Sequence, residues 1–499
     1  MHLYIFLGGQ ITVISKPYLN MLFNSFQFLL FFPIVTIIYF LIPHNWRWAH
    51  LLIASCIFYC AFIPIYLLIL IFTILIDYFA GLMIERSSGN KRKWYLILSI
   101  ISNVGVLAVF KYFNFFINNI DTLLNTFHIH ASLSLLNIIL PIGLSFHTFQ
   151  AMSYTIEVYR SHQKAERHLG IYALYVMFYP QLVAGPIERP QNILHQFHEI
   201  HPFRNDRLAH GLKMMLWGFF MKTVVADRAA IYVDVAYNHV AVQSGVTLLL
   251  ATILFTFQIY ADFAGYSYIA IGAAEVMGIR LMTNFNRPYF SKSISEFWGR
   301  WHISLSTWFR DYLYIPLGGN RVPIPRWYLN LFIVFVVSGF WHGANWTYII
   351  WGALNGIYLI FAIITKTSRK KLSHLIGLSK YPKFNNILQI ITTFSLTVFA
   401  WIFFRANNIS DAFLIVKKIF TDHGPLLAQG GGTSTALGLA TFGIILMMLI
   451  EYKREYHPEA FWFLYNKNIS LRFASYICIL VCILLLGVFD GGQFIYFQF

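Results

Sequence analysis

The chain has 499 residues, 58% of them hydrophobic, 18% aromatic and only 11% charged. Soluble proteins carry about 25% charged residues, so a soluble globular protein is excluded. A transmembrane β-barrel is set aside because its strands would alternate polar and apolar residues. Nucleic-acid binding is set aside because the formal charge of +16 lies between apolar runs rather than in one basic domain.

Residues 1 to 20 read poorly as structure and form an N-terminal extension. They lack the basic n-region and small-residue cleavage site of a signal peptide, and Met21 is an alternative start. From there the apolar runs approach or reach the roughly 20 residues with which a helix crosses about 30 Å of hydrocarbon. Spans are expected near 26–43, 48–63, 65–84, 94–116, 138–158, 211–235, 247–277, 327–343, 346–364, 387–404, 436–450 and 473–489. The chain is therefore expected to be an all-α polytopic membrane protein of about 11–13 transmembrane helices. No internal sequence repeat supports an inverted-repeat transporter.

Basic residues cluster on alternate connections: Arg86 with Lys91 to Lys93, Arg160 to Arg167, Arg189 to Lys213, Arg280 to Arg300, Lys366 to Lys383, and Lys453 with Arg454. The connections from Asn118 to Asn137 and from Tyr237 to Val246 hold no Lys or Arg, nor does the tail from Asp490. Positive residues mark the cytoplasmic side, so both termini are expected outside. The apolar segment 170–186 has basic flanks on both sides and is expected to be re-entrant, broken by Pro180, Gly185 and Pro186. Cys56 with Cys60 and Cys478 with Cys482 sit at helical spacing in apolar runs and read as buried inert thiols.

Residues 293–317 differ in kind. Ile294, Trp298, Trp301, Leu305, Trp308 and Tyr312 line one helical face, and Arg300, Ser304, Thr307 and Asp311 another. The spacing predicts one amphipathic helix, capped by Ser293 and Glu296 and stopped at Pro316. It carries His302, and His342 follows at the end of a span in Trp341-His342-Gly343. Ionisable groups at membrane depth are candidate functional groups, although a histidine in aromatic sequence is more often a satisfied core residue. The histidines have no local motif such as H-E-x-x-H, so no metal is implied. His147, Gln150 and Glu157 fall on successive turns of one helix and read equally as a tunnel lining or a buried polar network.

Several segments, in order, resemble the membrane-bound O-acyltransferases, and within them the branch of the bacterial alginate O-acetylases. They are Phe23-Asn24-Ser25, Leu140 to Phe146, Pro180 to Pro190, Gln258 to Ser267, Phe297 to Arg321, Trp341-His342-Gly343 and the ending Phe494 to Phe499. The resemblance covers nearly the whole chain from Met21; Ala261 and Ala264 are small departures at unreactive positions.

The resemblance implies an acyltransferase domain over 21–490, with re-entrant and interfacial helices around a central funnel or tunnel, and an extracytoplasmic aromatic tail over 491–499. The implied activity passes an acetyl or other acyl group from a cytoplasmic thioester such as acetyl-CoA, a substrate rather than a bound cofactor, towards an exported polysaccharide such as alginate. The setting would be a bacterial cytoplasmic (inner) membrane, and an extracytoplasmic acetyltransferase or esterase-fold partner would finish the transfer. His342 corresponds to the family's catalytic histidine and His302 to its second. Ester transfer needs a base and oxyanion stabilisation, and histidine suits the base role. Asn345 is a candidate to orient His342 or bind the oxyanion, and Arg300 and Arg321 are candidates for the donor phosphates. Tyr496 is a candidate acyl relay, with plain packing of the tail as the alternative. Asp77 and Asp262 are expected to pair structurally with Arg or backbone donors. The rival class is a transporter or flippase of a lipid-linked sugar or acyl carrier without chemistry.

Overall fold

The computed structural model describes residues 3–7, 10–14, 21–129, 134–138, 140–182, 185–430, 433–457, 464–489 and 495. A short antiparallel hairpin, β1 (Leu3–Leu7) and β2 (Gln10–Ile14), precedes a helical chain. The first helices are α1 (Phe26–Leu41), α2 (His44–Cys60), α3 (Leu67–Arg86) and α4 (Gly89–Leu107), which runs through a π turn, Ala108–Tyr112, into α5 (Phe113–Thr126). Then come α6 (Leu144–Tyr159), α7 (Leu169–Met177), α8 (Tyr179–Leu182), α9 (Pro190–His198) and α10 (Asn205–Phe219). A second π turn, Phe220–Ala226, joins α10 to α11 (Asp227–Asn238), followed by α12 (Gly245–Val276), α13 (Ile294–Arg300) and α14 (Ile303–Phe309). A third π turn, Arg310–Tyr314, precedes α15 (Ile324–His342), α16 (Trp346–Ile364), α17 (Lys366–Leu375) and α18 (Pro382–Arg405). The last are α19 (Ile409–Thr421), α20 (Thr433–Tyr456) and α21 (Ile469–Leu486).

Among the described residues, eight helices are long and apolar enough to cross a membrane. These are α3, the α4–α5 run, α12, α15, α16, α18, α20 and α21. The other expected spans correspond to shorter or more polar helices. α1 and α6 have 16 residues each, and the run from α10 to α11 carries Lys213, Lys222, Asp227 and Arg228. The four cysteines are unbridged; Cys478 is exposed and the others are half-buried, not buried as expected. Rim helices turn their apolar side chains outward, and only 17% of α21 is buried.

The chain divides into two compact units. The first comprises residues 1–105, 140–183 and 189–203. Here the segment expected to be re-entrant is broken into α7 and α8, and the Tyr179 N–H at the break donates to Ser55 Oγ at 3.1 Å. The polar residues of α6 form a buried network: His147 Nδ1 meets Val176 O at 3.1 Å, Gln150 bonds Tyr175, and Glu157 accepts from Gln191 at 2.6 Å. Asp77 accepts from Ser99 Oγ at 2.6 Å and Asn103 Nδ2 at 2.8 Å, so its partners are neutral side chains rather than Arg or backbone.

The second unit comprises residues 106–139, 184–188 and 204–499. Its centre is α12, buried along most of its length. α10 lies against it at glycines spaced seven apart on each helix. A Cβ on Gly211 would come within 2.5 Å of Gly272 O, and one on Gly218 within 2.6 Å of Gly265 O. Small residues permit this close backbone approach, a common way for membrane helices to gain packing. α15 and α16 meet in the same manner, since a Cβ on Gly339 would fall 2.2 Å from Tyr348 O.

Candidate active site

The amphipathic helix expected over 293–317 is broken in two. Ser293 caps α13 as expected, its hydroxyl accepting from Glu296 N at 3.2 Å, whereas the Glu296 carboxylate accepts from Lys292 N. The break comes at His302, which has φ 42° and ψ 56°. A non-glycine residue in this left-handed region is strained and needs surrounding structure to hold it. Residues 284–286 supply that structure: Asn286 N donates to Arg300 O and Ile303 N to Asn284 O, both at 2.9 Å.

Asn284 also sets the state of the ring. Its Oδ1 lies 3.1 Å from His302 Nδ1, and accepts from Ser304 Oγ at 2.9 Å and Ser304 N at 3.3 Å. A backbone N–H can only donate, so the atom facing it is the amide oxygen. His302 therefore carries its proton on Nδ1, which makes Nε2 the basic nitrogen. The ring is 1% exposed and packs edge-on against Phe263 at 4.5 Å. Burial pushes its imidazole down to about 3, so it is neutral.

His342 is the last residue of α15. A helix end leaves carbonyls without intrahelical partners; here Lys111 Nζ donates to Trp341 O at 2.8 Å and His342 O at 2.9 Å, and Tyr112 Oη donates to Phe340 O at 3.1 Å. Both donors come from the first π turn, a device common at functional sites. The His342 ring stands edge-on to Trp351, with centroids 5.1 Å apart. Trp351 stacks on Trp401 at 5.6 Å, and Trp401 meets Trp301, the neighbour of His302, at 5.2 Å. His302 joins the same aromatic cluster through Phe285, whose ring lies 6.3 Å from that of His302 and 5.1 Å from that of Trp301.

The other candidates are placed as follows. Asn345 caps α16, its Oδ1 accepting from Thr347 N at 3.0 Å, while its Nδ2 donates to Asn407 O at 3.2 Å. Arg300 is held in ion pairs with Glu296 at 2.7 Å and Glu455 at 2.8 Å. Arg321 is exposed in the loop before α15. Tyr496 lies outside the described residues. Its neighbour Ile495 is buried, and the Ile495 N–H donates to Asp262 Oδ2 at 2.7 Å. Asp262 is paired, as expected, with a backbone donor, but its cation is Lys222 at 2.6 Å, which also meets Asp227 at 2.8 Å. Among the described residues no three His, Cys, Asp or Glu gather as metal ligands.

The sequence reading missed Asn284, Lys111 and Lys222. The two lysines carried a signal, since each is a cation inside an expected span and so costly without a partner. Asn284 carried none, because its role arises from the fold-back of 284–286 onto the break at His302.

The family model for MBOAT, membrane-bound O-acyltransferases, matches residues 93–405. A probable alginate O-acetylase of Pseudomonas aeruginosa is 40% identical over 80% of this chain and 75% of its own length. A peptidoglycan O-acetyltransferase of Helicobacter pylori is 36% identical over 82% of this chain and 81% of its own. A teichoic acid D-alanyltransferase of Streptococcus thermophilus is 32% identical over 55% of this chain and 70% of its own. By that match over residues 93–405 and by those relatives, the chain belongs to the membrane-bound O-acyltransferase family and is an acyltransferase of the membrane.

Proposed function

We propose that this protein takes an acetyl or other acyl group from a cytoplasmic thioester such as acetyl-CoA and passes it through the membrane for O-acetylation of an exported polysaccharide. The observation that carries the reading is the aromatic chain that joins His302, with its proton fixed on Nδ1, through Phe285, Trp301, Trp401 and Trp351 to His342. The polymer class is supported by relatives named for alginate and for peptidoglycan.

In this chemistry a hydroxyl attacks the thioester carbonyl while His342 takes the hydroxyl proton. The tetrahedral intermediate then expels the thiolate, which takes the proton back. His302 positions the donor side. Asn345, by capping α16, fixes the turn that follows His342, and Arg300 and Arg321 lie on the donor side. The first acceptor is the phenol of Tyr496, which forms an ester and hands the acyl group to an esterase-fold partner outside the membrane. Support for the tail's part comes from the seat of Ile495 on Asp262, one residue from the Phe263 on which His302 packs. The acyltransferase domain spans 21–490, residues 1–20 lie outside it, and both termini face away from the cytoplasm of a bacterial cell.

The rival reading, transport of a lipid-linked carrier without chemistry, gives no reason for the paired histidines. Purified protein with labelled acetyl-CoA separates the two. Thioester turnover or self-acetylation should fall by about 10²–10⁴ in His342→Ala. Turnover unchanged by that substitution would sink the mechanism.

A further inference from the structure

The short helix α17 buries none of its residues. It follows α16 after a single residue, Thr365, and α18 begins soon after it at Pro382. So short a connection keeps α17 beside the ends of two helices that are long and apolar enough to cross a membrane. Arg369 fastens it there, Nη2 donating to Ala362 O at 2.7 Å and Nε to Thr365 Oγ1 at 3.1 Å.

Six cations lie in α17 and the residues that follow: Lys366, Arg369, Lys370, Lys371, Lys380 and Lys383. From Tyr312 to Ser410 the sequence contains no Asp or Glu. Among the described residues, none of the six forms an ion pair with a carboxylate. Like charges on neighbouring turns repel, so what balances them comes from outside the chain.

The same helix presents a bare apolar face. Leu372, Leu375 and Ile376 recur at spacings of three and four, with Arg369 and Lys371 at the borders. All three are exposed, Leu375 to 85%. The two characters meet in one place, since Thr367, Lys370, Lys371, His374 and Leu375 border a single open hollow. Solvent ions or an acidic protein surface would balance the cations but leave the leucines bare. An anionic phospholipid offers a phosphate and an apolar chain side by side.

We propose that α17 is a docking helix for anionic phospholipid. The headgroup phosphate sits in the hollow on Lys370 and Lys371, while Leu372, Leu375 and Ile376 enter the acyl boundary beside it. The proposal needs the membrane spans but is independent of the acyl-transfer reading.

Native mass spectrometry of the delipidated full chain in detergent compares phosphatidylglycerol with phosphatidylcholine of the same acyl chains. Phosphatidylglycerol should bind about tenfold more tightly. Lys370→Gln with Lys371→Gln should remove that preference, and the corresponding pair of Arg substitutions should keep it. Leu372→Gln with Leu375→Gln should weaken both lipids. All these variants should melt with the parent, since α17 buries nothing. Lys91→Gln with Lys93→Gln, which removes the same charge from the start of α4, should leave the preference intact. Equal affinity for the two lipids would overturn the proposal, as would a preference that survives the loss of Lys370 and Lys371 or falls equally with Lys91 and Lys93. Glycerol phosphate binding as tightly as the lipid would reduce the hollow to an ion site. A polyglutamate peptide that binds as tightly, loses its hold with the two lysines and ignores the two leucines would assign α17 to an acidic protein and overturn the lipid.

Discussion

At the scale of single residues, the decisive partner is an uncharged one. Asn284 tethers His302 Nδ1 and satisfies the Ser304 backbone at a position where the chain turns through a strained conformation. Asn284→Ala should lower acyl transfer by roughly tenfold to a hundredfold, because His302 then loses the partner that orients it on the donor side, and a misplacement of about 1 Å can cost on the order of 10² in rate. It should also cost about 1–3 kcal/mol of stability through the buried groups left unpaired. The two effects separate if activity per folded molecule is measured alongside thermal unfolding; full activity in the folded fraction would show that Asn284 does no more than pack. His302 and His342 stand out in the sequence as ionisable groups in aromatic, apolar stretches, but their proposed roles come from the family resemblance, since the pattern alone fits a core histidine as well. Asn284 does not stand out, since an asparagine in a loop is unremarkable until the fold brings that loop against the histidine.

At the scale of elements, helix breaks do the positioning. The 4,3,4 spacing of tryptophans in 293–317 was a true helical signal, yet it could not show that one residue, His302, leaves the helix. The interruption is enforced from outside, by main-chain bonds to 284 and 286. Likewise the π turn at Ala108–Tyr112 lies inside what reads as a plain span, and it is what brings Lys111 to the end of α15. The glycine contacts of α10 with α12 are the elementary counterpart in packing. Gly265→Leu would drive a side chain into Gly218 O and the Lys222 backbone, and overpacking of this kind costs about 1–3 kcal/mol or more. The variant should melt at a lower temperature in detergent, while Gly438→Leu, at a site with open space around it, should not. Equal melting of the two variants would show that the helices are not locked at that point.

At the scale of the whole molecule, charge placement governs orientation. The basic connections are expected in the cytoplasm, so alkaline phosphatase fused after residue 499 or inserted near residue 241 should be active. The same enzyme inserted near residue 370 should be silent. The reverse pattern would invert the membrane topology and, with it, the donor side. The class of fold was legible from composition alone, because the length of apolar runs follows directly from bilayer thickness. Span count was less legible: several apolar segments are helices shortened or interrupted by polar groups that are paired within protein, as Lys222 is by Asp227 and Asp262. That cluster has one more implication. Asp262 grips the C-terminal segment by the amide hydrogen of Ile495. The grip itself asks only for an N–H and so bars proline, while the burial of the Ile495 side chain separately holds that position to an apolar residue.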